Sequence, residues 1–144
     1  MAEGNGEAIG WLDGLVESVR RVHDEIIAVS GGLSGDHPDK LEGAIARPFH
    51  TAFGEFLFQT PYQQAAALFH GVITSHVFVD GNKRTASVLC ASMLSDLAGL
   101  AGPTSLQMRL LGEVAVETAS GGVTVEDVAF WLERIFAPRV GGQT

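Results

Sequence analysis

The chain has 144 residues, 46% of them hydrophobic, which is enough for one domain around a single core. Its formal net charge is −8, from 17 acidic and 9 basic residues, and a surface this acidic repels phosphate backbones, which excludes generic nucleic-acid binding. No apolar run approaches the roughly 18 residues that span a bilayer, the opening "MAEGNGEAIG" lacks the charged and apolar regions of a signal peptide, and the single Cys90 has no partner for an internal disulfide. These features predict a cytoplasmic protein without a membrane segment, in which Cys90 is a buried thiol rather than a nucleophile, since no base stands beside it.

In chain order, residues 1–7 are expected to fray. From Ile9 the apolar positions Ile9, Leu12, Leu15, Val16, Val19, Val22 and Ile26 follow helical spacing up to Gly31-Gly32. His23 falls on or near that apolar face and is expected to be a satisfied core histidine. "SGGLSGDHPD" is a loop by composition. "KLEGAIAR" predicts a short helix that stops before Pro48, because a residue preceding proline avoids the helical region. "PFHTAFGEFLFQ" is the only β-like stretch and predicts a short hairpin or an extended flap. Thr60-Pro61 supplies an N-cap and a first-turn proline for a helix carrying Ala65, Ala66, Phe69 and Ile73 on one face. A further stripe comprises Ala86, Leu89, Cys90, Met93, Leu94 and Leu97, with Lys83, Ser87 and Ser95 off it, and it ends at Gly99 and Gly102-Pro103. "TSLQMRLLGEVAVETAS" is another helix. Thr124 with Asp127 resembles a capping box for a last helix whose face is Val125, Val128, Ala129, Leu132, Ile135 and Phe136. Residues 139–144 are expected to fray. The fold class is all-α, with about six helices and one hairpin-like flap, in a single domain over 1–144.

Between two apolar helices lies the polar junction "SHVFVDGNKRTAS", which holds one of the chain's two lysines, Lys83. "DGN" is turn and N-cap chemistry, so a helix starts near Asn82. The backbone N–H groups of Gly81 to Arg84 then lack helical partners and form an anion site at the positive end of the helix dipole. Gly81 has no Cβ to keep a phosphate away from its backbone. Lys83 and Arg84 add charge, and Asn82 could fix a phosphate oxygen or a metal. Asp80 offers the hard oxygen that Mg²⁺ selects when it bridges phosphates. His76, at the end of the preceding helix and facing the turn, could take a proton from an incoming hydroxyl. Together these are the parts of a phosphoryl or nucleotidyl transferase. The residues alone leave a structural alternative open: an ordinary loop, a solvated helix start, and Phe78 as a core staple.

"HVFVDGNKRTA" resembles the signature of the Fic/Doc family, roughly His-x-Phe-x-[Asp/Glu]-Gly-Asn-x-Arg, at His76, Phe78, Asp80, Gly81, Asn82 and Arg84. Its continuation through Thr85 and Ala86 resembles the Doc ("death on curing") branch. "VHDEIIAVSGG", "LEGAIARP" and "TPYQQAAALFHGVITSH" resemble the opening helix, the segment before the flap and the helix entering the signature of the same branch. The resemblance implies a six-helix domain acting on ATP or another nucleotide with Mg²⁺. His76 would be the base, Asp80 the metal ligand and Gly81, Asn82, Lys83 and Arg84 the phosphate binders. It also implies a toxin that phosphorylates a Ser or Thr of a protein substrate, with elongation factor Tu as a candidate, and that is silenced by an antitoxin protein. Two departures from the adenylylating branch matter: Ser87 stands where a second Arg is usual, and Lys83 where Gly is usual. Both match the phosphate-transferring branch. The self-inhibitory pattern [Ser/Thr]-x-x-x-Glu-[Gly/Asn] is absent, so control is expected from a separate protein. Arg47, Phe53, Gly54 and Phe56 are candidates for docking a target segment on the flap by strand addition, with a plain hydrophobic hairpin as the alternative. An AMP-transferring enzyme and a catalytically silent binding module are the competing functions. His70 is expected to be structural or to lie on the rim, and His37 and His50 to be loop residues with no metal-ligand spacing among the five histidines.

Overall fold

The computed structural model describes residues 2–138, with side chains from Leu12 onward. Among these residues there are six α-helices: α1 (Ala2–Ser30), α2 (Pro38–Ala46), α3 (Pro61–Thr74), α4 (Asn82–Ala98), α5 (Ser105–Ser120) and α6 (Val125–Phe136). A single 3₁₀ turn (Arg47–Phe49) and a hairpin of β1 (Thr51–Ala52) and β2 (Glu55–Phe56) separate α2 from α3. No helix among the described residues is long and apolar enough to cross a membrane.

Helix α1 begins at Ala2, ahead of Ile9, so its helical backbone covers residues 2–7 that were expected to fray. The tail 139–144 lies outside the described residues. The break before Pro48 is softer than expected: α2 ends at Ala46, and the chain carries Pro48 through the tighter 3₁₀ turn. Capping boxes start three helices, with Thr60 and Gln63 at α3, Thr104 and Gln107 at α5, and Thr124 and Asp127 at α6.

Helix α3 is the axis of the fold. Its sequence suggested one apolar face, yet Gln64 through Phe69 and Gly71 through Ile73 are all buried, because α4, α5 and α6, with α2 and the 3₁₀ turn, surround it. Small residues make this possible: Ala65, Ala66, Ala67 and Gly71 let neighbouring helices approach. One continuous apolar cluster joins Val16 and Val19 of α1 to Leu41, Phe69, Leu94, Leu111 and Leu132, each contributing about 1.5–3 kcal/mol when fully buried. The α4 stripe holds through Leu94, but Leu97 is largely exposed, and Ser87, expected off the stripe, is buried. Cys90 is fully buried, which pushes its thiol pKa up and leaves no thiolate for chemistry. His70 is structural as expected: its Nε2–H donates to the Val123 carbonyl at 2.8 Å and ties α3 to the α5–α6 connection.

Candidate functional site: the turn between α3 and α4

Helix α3 stops at Thr74, and His76 turns the chain out of it with φ +50°. Left-handed backbone costs a non-glycine residue roughly 1–2 kcal/mol, so a histidine here is held by its surroundings. Its imidazole is exposed and has no protein partner among the described residues. The next two side chains, Val77 and Phe78, are buried and anchor the loop.

The loop after α1 lies alongside this anchor. His37 N–H donates to the Val77 carbonyl at 2.8 Å and Val79 N–H to the Gly35 carbonyl at 3.0 Å, around an antiparallel bridge between Asp36 and Phe78. Arg20 of α1 holds Asp36 in a two-point pair, Nε to Oδ2 at 2.9 Å and Nη2 to Oδ1 at 3.2 Å. Its bonds to Asp36 and Glu17 drive the Arg20 pKa higher still. Asp80 is gripped twice: Leu33 N–H donates to its Oδ2 at 2.7 Å, and the Nε2 of His23 donates to its carbonyl oxygen at 2.7 Å. His23 is 2% exposed and its ring stacks on Phe78, with centroids 4.0 Å apart. It is therefore a satisfied core histidine whose only hydrogen-bond partner among the described residues is in the signature. Gly32, at φ +114°, lies so close that a Cβ there would sit 3.2 Å from the Asp80 Cβ.

Helix α4 then starts with Gly81 as its N-cap, at φ +79°. The Gly81 carbonyl takes the first helical bond, from Thr85 N–H at 2.9 Å. No side chain caps the turn, so the N–H groups of Asn82, Lys83 and Arg84 are left without acceptors among the described residues. The side chain of Asn82 is engaged within the turn. Phe78 N–H donates to its Oδ1 at 2.9 Å and its Nδ2 donates to the Phe78 carbonyl at 2.8 Å. Its amide closes the turn on the Phe78 backbone, and its own backbone N–H lies at the open start of α4. Lys83 and Arg84 are exposed, without carboxylate partners among the described residues. They border a cleft of ≈ 750 Å³ whose walls are Val22, Ile26 and Val29 of α1 and Ala115 and Val116 of α5. Ser87 also lines it, its hydroxyl bonded to the Lys83 carbonyl at 2.9 Å.

Among the described residues no cluster of three or more His, Cys, Asp or Glu could enclose a metal ion. A metal held by one carboxylate together with substrate phosphates and water, the manner of Mg²⁺, still fits. Leu33 occupies Oδ2 of Asp80, and no described protein group bonds Oδ1.

The flap residues sit on a different element. Phe53 and Gly54 form its two-residue tip, both at positive φ, and Phe53 is fully exposed. Phe56 is about half-exposed. Arg47 lies outside the hairpin, in the 3₁₀ turn, its guanidinium 5.8 Å from the Phe58 ring centre and against Gly71 of α3.

The sequence profile of the Fic/DOC family matches residues 11–94, from α1 through most of α4. The chain belongs to the Fic/Doc family. Over 60 residues it is 40% identical to the protein "Toxin Doc" of Mycolicibacterium smegmatis (strain ATCC 700084 / mc(2)155), a match covering 42% of this chain and 46% of that protein. The chain thus matches less than half the length of that relative. The Fic/Doc signature of this chain is the whole α3–α4 turn. Besides the Asn82 amide, the contacts that hold it come from His23, Leu33, Gly35 and His37, which the signature does not contain, with Arg20 fixing Asp36 behind them.

Proposed function

We propose that this protein is a Doc-type toxin that transfers the γ-phosphate of ATP to a Ser or Thr hydroxyl of a protein, with elongation factor Tu as the candidate target. The observation that carries the reading is the α4 N-terminus: three backbone amides and two cations, Lys83 and Arg84, all without partners among the described residues, lie six to eight residues after an exposed histidine that no described side chain engages. Amides preorganised around an anion cost no reorganisation when charge shifts during transfer. The triphosphate lies against the N–H groups of Gly81 to Arg84, with Lys83 and Arg84 beside it. His76 Nδ1 or Nε2 takes the proton of the target hydroxyl. The hydroxyl oxygen bonds to the γ-phosphorus, and the bond from that phosphorus to the bridging oxygen breaks, leaving ADP. Mg²⁺ held by Asp80 supplies neutralisation of phosphate charge.

Phosphate transfer is favoured over AMP transfer by Ser87. It is buried and bonded to the helix backbone, so it supplies no cation where the adenylylating branch carries its second arginine. Incubation with the target and either α-³²P-ATP or γ-³²P-ATP separates the two: label from the γ form alone supports the kinase, and label from the α form establishes AMP transfer. The apolar cleft bordered by Lys83 and Arg84 is the surface we assign to an antitoxin segment, since Val29, Val88 and Val116 stand exposed along it. Co-purification from the native host is expected to recover a small stoichiometric partner. Recovery of the chain alone, with no toxicity on expression, favours the silent module.

A further inference from the structure

We infer that His23 is a positioning residue for transfer: its hydrogen bond to the Asp80 carbonyl fixes the Asp80–Gly81 peptide plane and so aims the Gly81 N–H into the anion turn. This inference rests on the reading of the α4 N-terminus as the phosphate site.

A buried imidazole is a poor choice for filling a core, because its two ring nitrogens lose water. At 2% exposure His23 keeps one short bond, 2.7 Å to the carbonyl of Asp80, a residue far away in sequence. A carbonyl oxygen only accepts, so Nε2 carries the proton. The ring face lies on Phe78, nearly parallel at 7°, and a Cβ at Gly81 would stand 3.6 Å from Nε2. One side chain of α1 therefore touches Phe78, Asp80 and Gly81.

The consequence follows from peptide geometry. The peptide is trans, so its C=O and N–H point in opposite directions. With the Asp80 carbonyl drawn inward to His23, the Gly81 N–H points outward, on the side where the amides of Asn82 to Arg84 are free. Nothing at Gly81 itself enforces this. Glycine takes positive and negative φ about equally, so the plane could rotate, change the sign of φ at residue 81 and withdraw the donor at little cost. The bond from His23 opposes that rotation. Phe78 is fixed besides by the Asn82 amide and by the bridge to Asp36, and the Asp80 carboxylate by Leu33. The carbonyl of Asp80 has only His23 among the described residues.

The test compares His23→Phe, which keeps a ring on Phe78 and removes the donor, with His23→Gln, which keeps an N–H donor and removes the ring. In the nucleotide-free protein, hydrogen exchange at Phe78, Val79 and Thr85, whose N–H groups are bonded within or across the turn, should rise about tenfold in His23→Phe while α5 and α6 exchange as before. Calorimetric titration with Mg²⁺ and the non-hydrolysable analogue AMP-PNP should show weaker binding. The kcat for transfer should fall about 10–100-fold, as when a group that orients a ligand is removed, with KM for the protein target unchanged. His23→Gln should recover part of each. Unchanged exchange, analogue affinity and kcat in His23→Phe would overturn the inference, and so would an exchange increase spread evenly over all helices. Should either variant fail to fold, ¹⁵N spectra of the unaltered protein decide: an Nε2-protonated His23 with a slowly exchanging N–H is expected, and an Nδ1-protonated ring overturns it. If the unaltered protein binds no analogue and transfers no label, the nucleotide reading fails, while the exchange and tautomer results still judge His23.

Discussion

Two short stretches of left-handed backbone flank α3, Phe53-Gly54 before it and His76 with Gly81 after it, and they are treated in opposite ways. Around His76 and Gly81 the protein commits α1, the α1–α2 loop and the Asn82 side chain, whose hydrogen bonds converge on Val77, Phe78, Val79 and Asp80. At Phe53 and Gly54 it commits almost nothing: two residues per strand, a turn of the type that suits a hairpin's twist, and a phenylalanine wholly in water. The contrast separates two requirements. A site that stabilises charge must not reorganise, so its donors are held from behind. An edge that receives a segment of another chain must leave its backbone and side chains uncommitted.

The largest effect is expected at His76, whose side chain has no protein partner among the described residues. His76→Ala should lower transfer by ~10²–10⁴-fold, the usual worth of a general base, while the melting temperature stays within a few degrees, because the imidazole is exposed. Growth inhibition at equal expression is the cellular readout. Toxicity equal to that of the parent would remove His76 from the mechanism.

Lys83→Gly comes next. It deletes the charge we assign to the phosphates and should cost the transition state ~2–4 kcal/mol, about what one preorganised donor is worth, measured as kcat/KM with γ-labelled ATP. Full retention would make Lys83 a solvated helix residue and weaken the case for phosphate over AMP transfer.

Gly81→Ala probes the rigid stretch itself. At φ +79° an alanine costs roughly 1–2 kcal/mol of stability. The new Cβ would lie 3.1 Å from the Cδ1 of Ile27, a flexible end that can move, so the conformational cost dominates. Because alanine relaxes toward negative φ, analogue binding should weaken by more than the stability loss alone requires. Urea unfolding and calorimetry measure the two quantities separately.

Much of this was legible in the sequence because it is local. Thr60-Pro61, Thr124 with Asp127, and the glycines after α4 are chemistry within one turn of chain, and the signature's cap-and-turn composition marked both the start of α4 and its unpaired amides. What was not legible depends on residues far apart. Nothing in "DGN" reveals that the Asn82 amide closes back on the Phe78 backbone. Ser87 was placed off the apolar stripe because its hydroxyl satisfies itself on the Lys83 carbonyl and can then be buried. The burial of α3 on all sides could not be read from its own apolar face, since it is set by five neighbouring elements. His23 was recognised as a core histidine, but the bond to Asp80 that makes it more than filler spans most of the first half of the chain.

The smallest effect is expected at the flap, and it decides what the exposed stretch is for. Phe53 holds φ +54°, where a non-glycine residue costs roughly 1–2 kcal/mol. It is fully exposed, so its ring gives the isolated domain no burial in return. Phe53→Gly relieves that cost, and the added freedom of the unfolded chain takes back about 0.5–1 kcal/mol. Stability should therefore stay level or rise by up to about 1.5 kcal/mol, which thermal unfolding would detect as an unchanged or slightly higher midpoint. If the ring docks the target, KM for the protein substrate should rise several-fold, with kcat and analogue affinity as in the parent. If KM does not move, the ring takes no part in docking, and target recognition must be sought elsewhere around the turn.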